Sequence, residues 1–123
     1  MKTLKKIGSQ VIVLTGATSG VGLVTARKAA ALGAKLVLVA RGEDALHKLA
    51  EELRETGTEV ITVAGDVGRH EDVGRAAHAA IERFGGFDTW INNAGVTIFG
   101  RHEDVPLEDQ RRLFDTNYWG VVH

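Results

Sequence analysis

Short apolar runs alternate with stretches of helical periodicity along this sequence, and no other feature restricts the possible folds as much. The apolar runs predict strands at 11–14, 36–39, 60–63 and 87–91. The segments between them predict helices over 20–32, around 46–53 and over 73–84, and a fourth helix from Pro106 through Tyr118. Because every strand is followed by a helix, we expect parallel strands joined by right-handed crossovers.

Length and composition indicate one ordinary globular domain. The chain has 123 residues, of which 44% are hydrophobic and 25% charged, so there is room for one domain. A net charge of -1 gives no electrostatic reason to expect binding to nucleic acid. The absence of cysteine excludes disulfides and thiolate zinc sites. No apolar run has the length of a signal peptide or a membrane span, so we expect a cytoplasmic protein without a membrane partner.

A glycine-rich loop lies between the first strand and the first helix, with the sequence Thr15-Gly16-Ala17-Thr18-Ser19-Gly20-Val21-Gly22. Glycine allows backbone to approach a pyrophosphate closely, and the helix that follows directs free N–H groups at it. Thr18 and Ser19 add hydroxyl donors. A tight structural turn is the alternative interpretation. The spacing is not that of a Walker loop, since no Lys-Ser or Lys-Thr pair follows.

Four motifs together resemble the short-chain dehydrogenase/reductase family. The pattern Thr-Gly-x-x-x-Gly-x-Gly resembles its cofactor loop, and Asn92-Asn93-Ala94-Gly95 resembles its second signature. Asp66-Val67 resembles its adenine-contacting Asp, and Asn117 resembles its active-site Asn. The resemblance covers the whole chain but only the first half of the family's usual domain. It implies an NAD(P)-binding, Rossmann-type doubly wound parallel α/β sheet of strand order 3-2-1-4 over residues 1–123, ending after the fourth strand and its helix.

The resemblance also implies a set of cofactor-binding residues. These are Gly16, Thr18, Ser19, Gly20, Val21, Gly22, Arg41, Asp66, Val67, Asn92, Ala94 and Gly95. Asn93 is equally consistent with contacting cofactor and with bonding to neighbouring backbone.

Arg41 favours NADP over NAD as the cofactor. NAD-preferring dinucleotide folds usually carry an acidic residue at the end of the second strand, to bond the ribose 2′-hydroxyl. Here Arg41 follows the strand, and a guanidinium can pair with a 2′-phosphate. Many NADP-preferring members of the family also have a basic residue before the second glycine of the loop, where this chain has Ser19. A solvated loop cation is the alternative for Arg41.

The catalytic set of the family is mostly missing. The family uses a Tyr as general acid/base with a Lys four residues later, whereas the only tyrosine here is Tyr118 and Val122 stands four residues on. We therefore interpret Tyr118 as a packing residue on one helical face with Leu107, Phe114 and Val121. Asn117 is the one catalytic residue that the resemblance assigns. The pairs His70-Glu71 and His102-Glu103 do not suggest a metal site.

These observations predict an NADP-dependent oxidoreductase acting on a small-molecule carbonyl or alcohol, represented by its cofactor-binding half. A non-catalytic dinucleotide-binding module and an inactive truncated product are the alternatives. An unpaired edge at the fourth strand would favour a homo-oligomer. Asp88 is expected to act as a turn or capping residue near the start of that strand.

Overall fold

A four-stranded parallel sheet forms the centre of the protein in a computed structural model, which describes residues 3–123. The strands lie in the order β3-β2-β1-β4 and every neighbouring pair is parallel. Their bounds are β1 Val11–Thr15, β2 Lys35–Ala40, β3 Val60–Ala64 and β4 Thr89–Ile91. The predicted fold class and strand order are confirmed.

Helices connect the strands and extend beyond the last one. Their bounds are α1 Gly20–Ala31, α2 Glu43–Glu55, α3 His70–Phe84, α4 Leu107–Phe114 and α5 Gly120–Val122. Asp115–Trp119 forms a π-helical turn that joins α4 to α5, so the predicted fourth helix is continuous but locally widened. Short 3₁₀ turns occupy Ile7–Ser9 and His102–Asp104. No helix among residues 3–123 is long and apolar enough to cross a membrane.

The two faces of the sheet carry separate apolar cores, because side chains alternate along each strand. Leu36 and Leu38 of β2 face α1 and α2, in a cluster with Leu46 and Leu49 of α2. Val37 and Val39 point to the other face, where they join the cluster that contains Ala76 and Ala80 of α3. Helices thus cover both faces of the sheet, as the doubly wound arrangement requires.

The fourth strand is shorter than predicted and begins at Thr89 rather than Phe87. The residue before it, Asp88, accepts a hydrogen bond from the Val11 N–H at 2.8 Å and one from Lys5 Nζ at 2.9 Å. Asp88 thereby holds the start of β1 through its side chain, in agreement with its predicted capping role. Strand β4 pairs with β1 alone, and its other edge has no partner among the described residues.

The predicted packing of Tyr118 is wrong for the described part of the chain. Its side chain is 55% exposed, and Leu107, Phe114 and Val121 of the same face are also exposed. The Tyr118 ring makes an edge-on contact with Trp119, with 5.1 Å between the ring centroids. The prediction assumed one regular helix, whereas the π-helical turn at Asp115–Trp119 interrupts it, and all four residues are exposed among residues 3–123.

Candidate functional site

A cleft of about 480 Å³ opens at the carboxyl ends of the strands. In open α/β sheets ligands bind at this end, beside the point where the strand order reverses, which here lies between β1 and β4. The residues that line this strand-end cleft are Gly16, Thr18, Ser19, Val39, Ala40, Arg41, Gly42, Gly65, Asp66, Val67, Ala94, Gly95, Val96, Arg112 and Thr116.

The strand-end cleft brings together most of the residues predicted to bind cofactor. Those that line it are Gly16, Thr18, Ser19, Arg41, Asp66, Val67, Ala94 and Gly95. They come from four loops that are distant in the sequence, each of which follows a strand. Gly20, Val21, Gly22 and Asn92 do not line it.

The glycines of the loop have different physical roles. Gly16 has a φ of 64° and Gly20 a φ of 53°, a backbone region that glycine adopts without a Cβ clash. A Cβ at Gly20 would meet nothing within 4 Å among residues 3–123, whereas one at Gly22 would lie 2.0 Å from the Gly16 carbonyl oxygen. Gly20 therefore leaves open space beside the start of α1, and Gly22 lets that helix pack against the loop.

The beginning of α1 faces this loop with unused hydrogen-bonding groups. Ser19 precedes the helix with an extended backbone, and its side chain makes no capping hydrogen bond. The first N–H groups of any helix lack intrahelical acceptors and carry a partial positive charge. The arrangement suits an anion such as a phosphate.

Thr15 fixes the loop to the end of β4, a role that the sequence analysis missed. Its buried Oγ1 accepts hydrogen bonds from the N–H groups of Asn93 and Ala94, both at 3.0 Å. The Asn93 side chain returns two bonds of 3.1 Å to the carbonyl oxygens of Thr15 and Gly16. Asn93 thus bonds to neighbouring backbone, which is one of the two interpretations that the sequence left open.

Asn92 faces away from the strand-end cleft. Its Oδ1 accepts a 3.0 Å hydrogen bond from the indole N–H of Trp90, two residues earlier, because residues two apart on extended chain share a face. It lines a different cleft of about 420 Å³ beside the free edge of β4, together with His70 and His123. The structure therefore does not bring Asn92 together with the other predicted site residues.

Asp66 is the acidic group of the strand-end cleft and is held by three contacts. Its Oδ1 accepts a 2.9 Å bond from the Gly68 N–H, and its Oδ2 lies 2.7 Å from Arg112 Nη2. Its own N–H donates to Asp72 Oδ2 at 2.9 Å. Burial by itself raises the pKa of Asp66, but the Gly68 N–H and Arg112 together outweigh it, so the pKa lies below the usual value of 3.8.

Asp72 supports Asp66 from the first turn of α3, and its ionisation is expected to stabilise the fold. The Asp66 N–H and the guanidinium of Arg75, at 2.7 Å, hold the pKa of Asp72 below its usual range. A carboxylate with a depressed folded-state pKa stabilises the protein above its unfolded pKa of about 3.9, and this stabilisation is lost as the pH falls through the folded value. We expect the free energy of unfolding to fall below about pH 4, and to fall less steeply in Asp72→Asn.

Denaturant unfolding between about pH 6 and pH 2.5 measures this dependence. The matched control is Asp44→Asn in the first turn of α2, where the carboxylate is exposed and makes no ion pair within residues 3–123. An acid dependence of Asp72→Asn as steep as that of the control would contradict the assignment.

Arg41 offers an unengaged positive charge at the mouth of the cleft. It is exposed immediately after β2, and no carboxylate of the described residues lies within ion-pair distance of its guanidinium. The positive charge of Arg41 also lowers the pKa of Asp66, but less than the Gly68 N–H and Arg112 do. Arg41 is therefore available to an anionic ligand.

Asn117 lies in the π-helical turn, and its side chain makes two hydrogen bonds to the backbone just after the Asn-Asn-Ala-Gly motif. Its Oδ1 accepts the Val96 N–H and its Nδ2 donates to the Val96 carbonyl oxygen, both at 2.8 Å. Single π-helical turns often mark functional sites. The neighbouring Thr116 is buried in the wall of the strand-end cleft, and its hydroxyl has no hydrogen-bond partner among the described residues.

Arg112 and Thr116 are polar residues of the cleft that the sequence analysis missed. Arg112 lies on α4 and Thr116 in the π-helical turn that follows, and both line the cleft. Only the helical periodicity around Asn117 could have pointed to these two residues. Their pairing with residues after β3 depends on tertiary contacts between distant segments.

Comparison with known proteins identifies the family. The sequence model described as short chain dehydrogenase matches residues 10–123. The uncharacterized oxidoreductase YxnA of Bacillus subtilis is 58% identical over 120 residues, which is 98% of this chain and 34% of YxnA. The 11-beta-hydroxysteroid dehydrogenase-like 2 protein of Arabidopsis thaliana is 40% identical, over 97% of this chain and 39% of its own length. The chain thus spans about a third of the length of the curated relatives that it matches.

Solved structures give the same result. A short chain dehydrogenase/reductase from Burkholderia phymatum in complex with NAD superposes with a TM-score of 0.94 at 40% identity, over 98% of this chain and 43% of that one. L-sorbose reductase from Gluconobacter frateurii, complexed with NADPH and L-sorbose, superposes with a TM-score of 0.87 at 36% identity. The match covers 92% of this chain and 43% of that one. Sequence motifs, sheet order and these matches agree, and the chain belongs to the short chain dehydrogenase family.

Proposed function

We propose that this chain is the NADP(H)-binding part of an oxidoreductase that transfers hydride between the cofactor and a small-molecule carbonyl or alcohol. The observation that carries the proposal is the strand-end cleft, in which the glycine loop, Arg41 and Asp66 converge. Relatives with bound cofactor support the class of ligand, since they hold NADPH in L-sorbose reductase and NAD in the Burkholderia phymatum protein.

The pyrophosphate is assigned to the glycine loop. Gly16 and Gly20 keep the backbone open there, and Thr18 and Ser19 contribute hydroxyl donors. Val21 and Gly22 belong to the first turn of α1 and shape the loop beneath the phosphates without lining the cleft.

The adenosine end is assigned to the loops after β2 and β3. Arg41, which is exposed directly after β2, is assigned to the 2′-phosphate, and the lack of a carboxylate at this position favours NADP over NAD. Asp66 and Val67 would contact the purine base, and Ala94 and Gly95 would form the opposite wall. Asn92 would have to turn away from Trp90 to take part.

Of the groups that carry out the chemistry, only Asn117 is assigned within this chain. It fixes the backbone after β4 through Val96, which sets the wall next to the cofactor. The nicotinamide would donate hydride to a carbonyl or accept it from an alcohol when bound, and the substrate is a small molecule. We also propose that the free edge of β4 is covered by further chain or by a second copy.

Calorimetric titration of the 123-residue chain with NADP⁺ and NAD⁺ at fixed salt tests the proposal. We expect both to bind and NADP⁺ to bind at least about tenfold more tightly, the scale of one charge-assisted hydrogen bond. Ser19→Asp is expected to abolish binding of both, because a carboxylate would face the pyrophosphate. The fold should survive, since Asp is a favourable residue before a helix.

Ser9→Asp is the matched control. Ser9 is exposed in a 3₁₀ turn at the opposite end of β1, away from the residues of the cleft. It should bind both dinucleotides as the unmodified chain does. Failure of the unmodified chain to bind either dinucleotide, or equal binding by Ser19→Asp and the control, would refute the proposal.

A further inference from the structure

The ion pair between Arg112 and Asp66 joins the two walls of the strand-end cleft. Asp66 follows β3 and Arg112 lies on α4, and their 2.7 Å contact spans 46 residues of sequence. We propose that Arg112 is a positioning residue, which orients the Asp66 carboxylate so that it accepts a hydrogen bond from the exocyclic amino group of the purine base. This inference rests on the proposed dinucleotide function and adds to it a residue that determines base specificity.

The contacts of Asp66 leave it suited to accept one more hydrogen bond. Each carboxylate oxygen has two acceptor sites, and Gly68 uses one on Oδ1 while Arg112 uses one on Oδ2. The side chain is 20% exposed and borders the cleft, so the remaining sites can be reached by a ligand. An amino group can donate to such an acceptor, whereas a ring carbon that carries only hydrogen at the same position cannot form a comparable hydrogen bond.

Arg112 fixes the orientation of the Asp66 carboxylate, which the hydrogen bond from Gly68 alone does not. A single bond to Oδ1 leaves the carboxylate free to rotate about it, whereas a second, charged contact on Oδ2 fixes its plane. Its positive charge also compensates a carboxylate that would otherwise lie unpaired in a cleft proposed to bind phosphates. Arg112 is 39% exposed in its side chain and borders the cleft itself.

The π-helical turn and α5, which continue from the helix that carries Arg112, contact the loop after β3 without involving Arg112. Gly120 packs so closely on Val67 that a Cβ there would lie 2.7 Å from Val67 Cγ2. His123 Nδ1 lies 3.1 Å from the Val67 carbonyl oxygen, and the backbone of Asp115 borders Gly68. Removal of the Arg112 guanidinium should therefore leave α4 docked and change chiefly the state of Asp66.

The experiment compares two ligands, NADP⁺ and its unsubstituted purine analogue, in which a hydrogen atom replaces the amino group of adenine. We expect the unmodified chain to bind NADP⁺ about tenfold more tightly than the analogue, the scale of one hydrogen bond to a charged acceptor. In Arg112→Met this preference should fall to about twofold or less, with affinity for the analogue nearly unchanged. Arg112→Lys keeps the positive charge but loses the planar guanidinium, so its preference for NADP⁺ over the analogue should be intermediate.

Each outcome has a defined meaning. An equal loss of affinity for both ligands in Arg112→Met would show a general structural or electrostatic role and overturn the inference. Equal binding of both ligands by the unmodified chain would also overturn it while leaving the proposed function intact, whereas no binding of either ligand would refute the proposed function itself. Should Arg112→Met not fold, as judged by circular dichroism, Arg112→Lys decides, and an unchanged preference in that variant would overturn the inference.

Discussion

Gly22→Ala is expected to destabilise the fold by about 3 kcal/mol, the upper part of the range for overpacking. The added Cβ would lie 2.0 Å from the Gly16 carbonyl oxygen and 2.5 Å from Asn93 Nδ2. The nearest atom is backbone, so no side-chain rotation relieves the contact and α1 must move away from the loop. Because Asn93 ties the loop to β4, the displacement would reach the cleft and weaken dinucleotide binding as well.

Gly74→Ala is the matched control for this substitution. Gly74 also lies within a helix, α3, and a Cβ there would meet no atom of the described part of the chain within 4 Å. We expect this control to gain about 0.5–1 kcal/mol, since alanine is the better helix former. Chemical denaturation of both variants measures the difference, and Gly22→Ala with the stability of the unmodified chain would contradict the packing argument.

Arg41→Asp is expected to weaken NADP⁺ binding by about 1.5–3 kcal/mol, or roughly tenfold to more than a hundredfold. The substitution removes the cation assigned to the 2′-phosphate and puts in its place the acidic type of residue that bonds a ribose 2′-hydroxyl. Affinity for NAD⁺ should be retained or increased, so that the preference between the two cofactors inverts. Titration of the variant with both dinucleotides at one salt concentration measures this.

Lys48→Glu reverses a charge elsewhere and controls for long-range electrostatics. Lys48 is exposed on α2 and does not line the strand-end cleft. The Lys48→Glu variant should have the same preference between NADP⁺ and NAD⁺ as the unmodified chain. If Arg41→Asp and Lys48→Glu changed NADP⁺ affinity equally, Arg41 would have no specific role.

The parallel pairing of the strands and the position of the cleft could be predicted because they depend on local pattern, whereas the strand order was implied by the resemblance to the family. Apolar runs that alternate with helical segments predict parallel strands, and the loops after those strands necessarily meet at one edge of the sheet. Gly16 and Arg41 directly follow β1 and β2, and Asp66 lies two residues after β3 in a motif that resembles the family's; all three border one cleft.

Contacts that depend on how distant segments of the chain pack against each other could not be predicted from the sequence. The pairing of Arg112 with Asp66 requires α4 to pack on the loop after β3, and neither residue signals the other in sequence. The bonds of Thr15 to Asn93 and Ala94 depend on the register between β1 and β4. Successive side chains of an extended chain point to opposite faces, and Trp90 and Asn92 share one face. This alternation could have predicted that Asn92 and Asn93 point in opposite directions.

Nuclear magnetic resonance of the ¹⁵N-labelled chain during titration with NADP⁺ tests most directly where the dinucleotide binds. We expect the amide shifts of Gly16, Ser19, Asp66 and Gly95, which border the strand-end cleft, to change. The amide of Val122, in the edge cleft beside β4, should change little. Shift changes concentrated around Val122 and the edge cleft, or none at the glycine loop under saturating NADP⁺, would contradict the assignment of the strand-end cleft as the cofactor site.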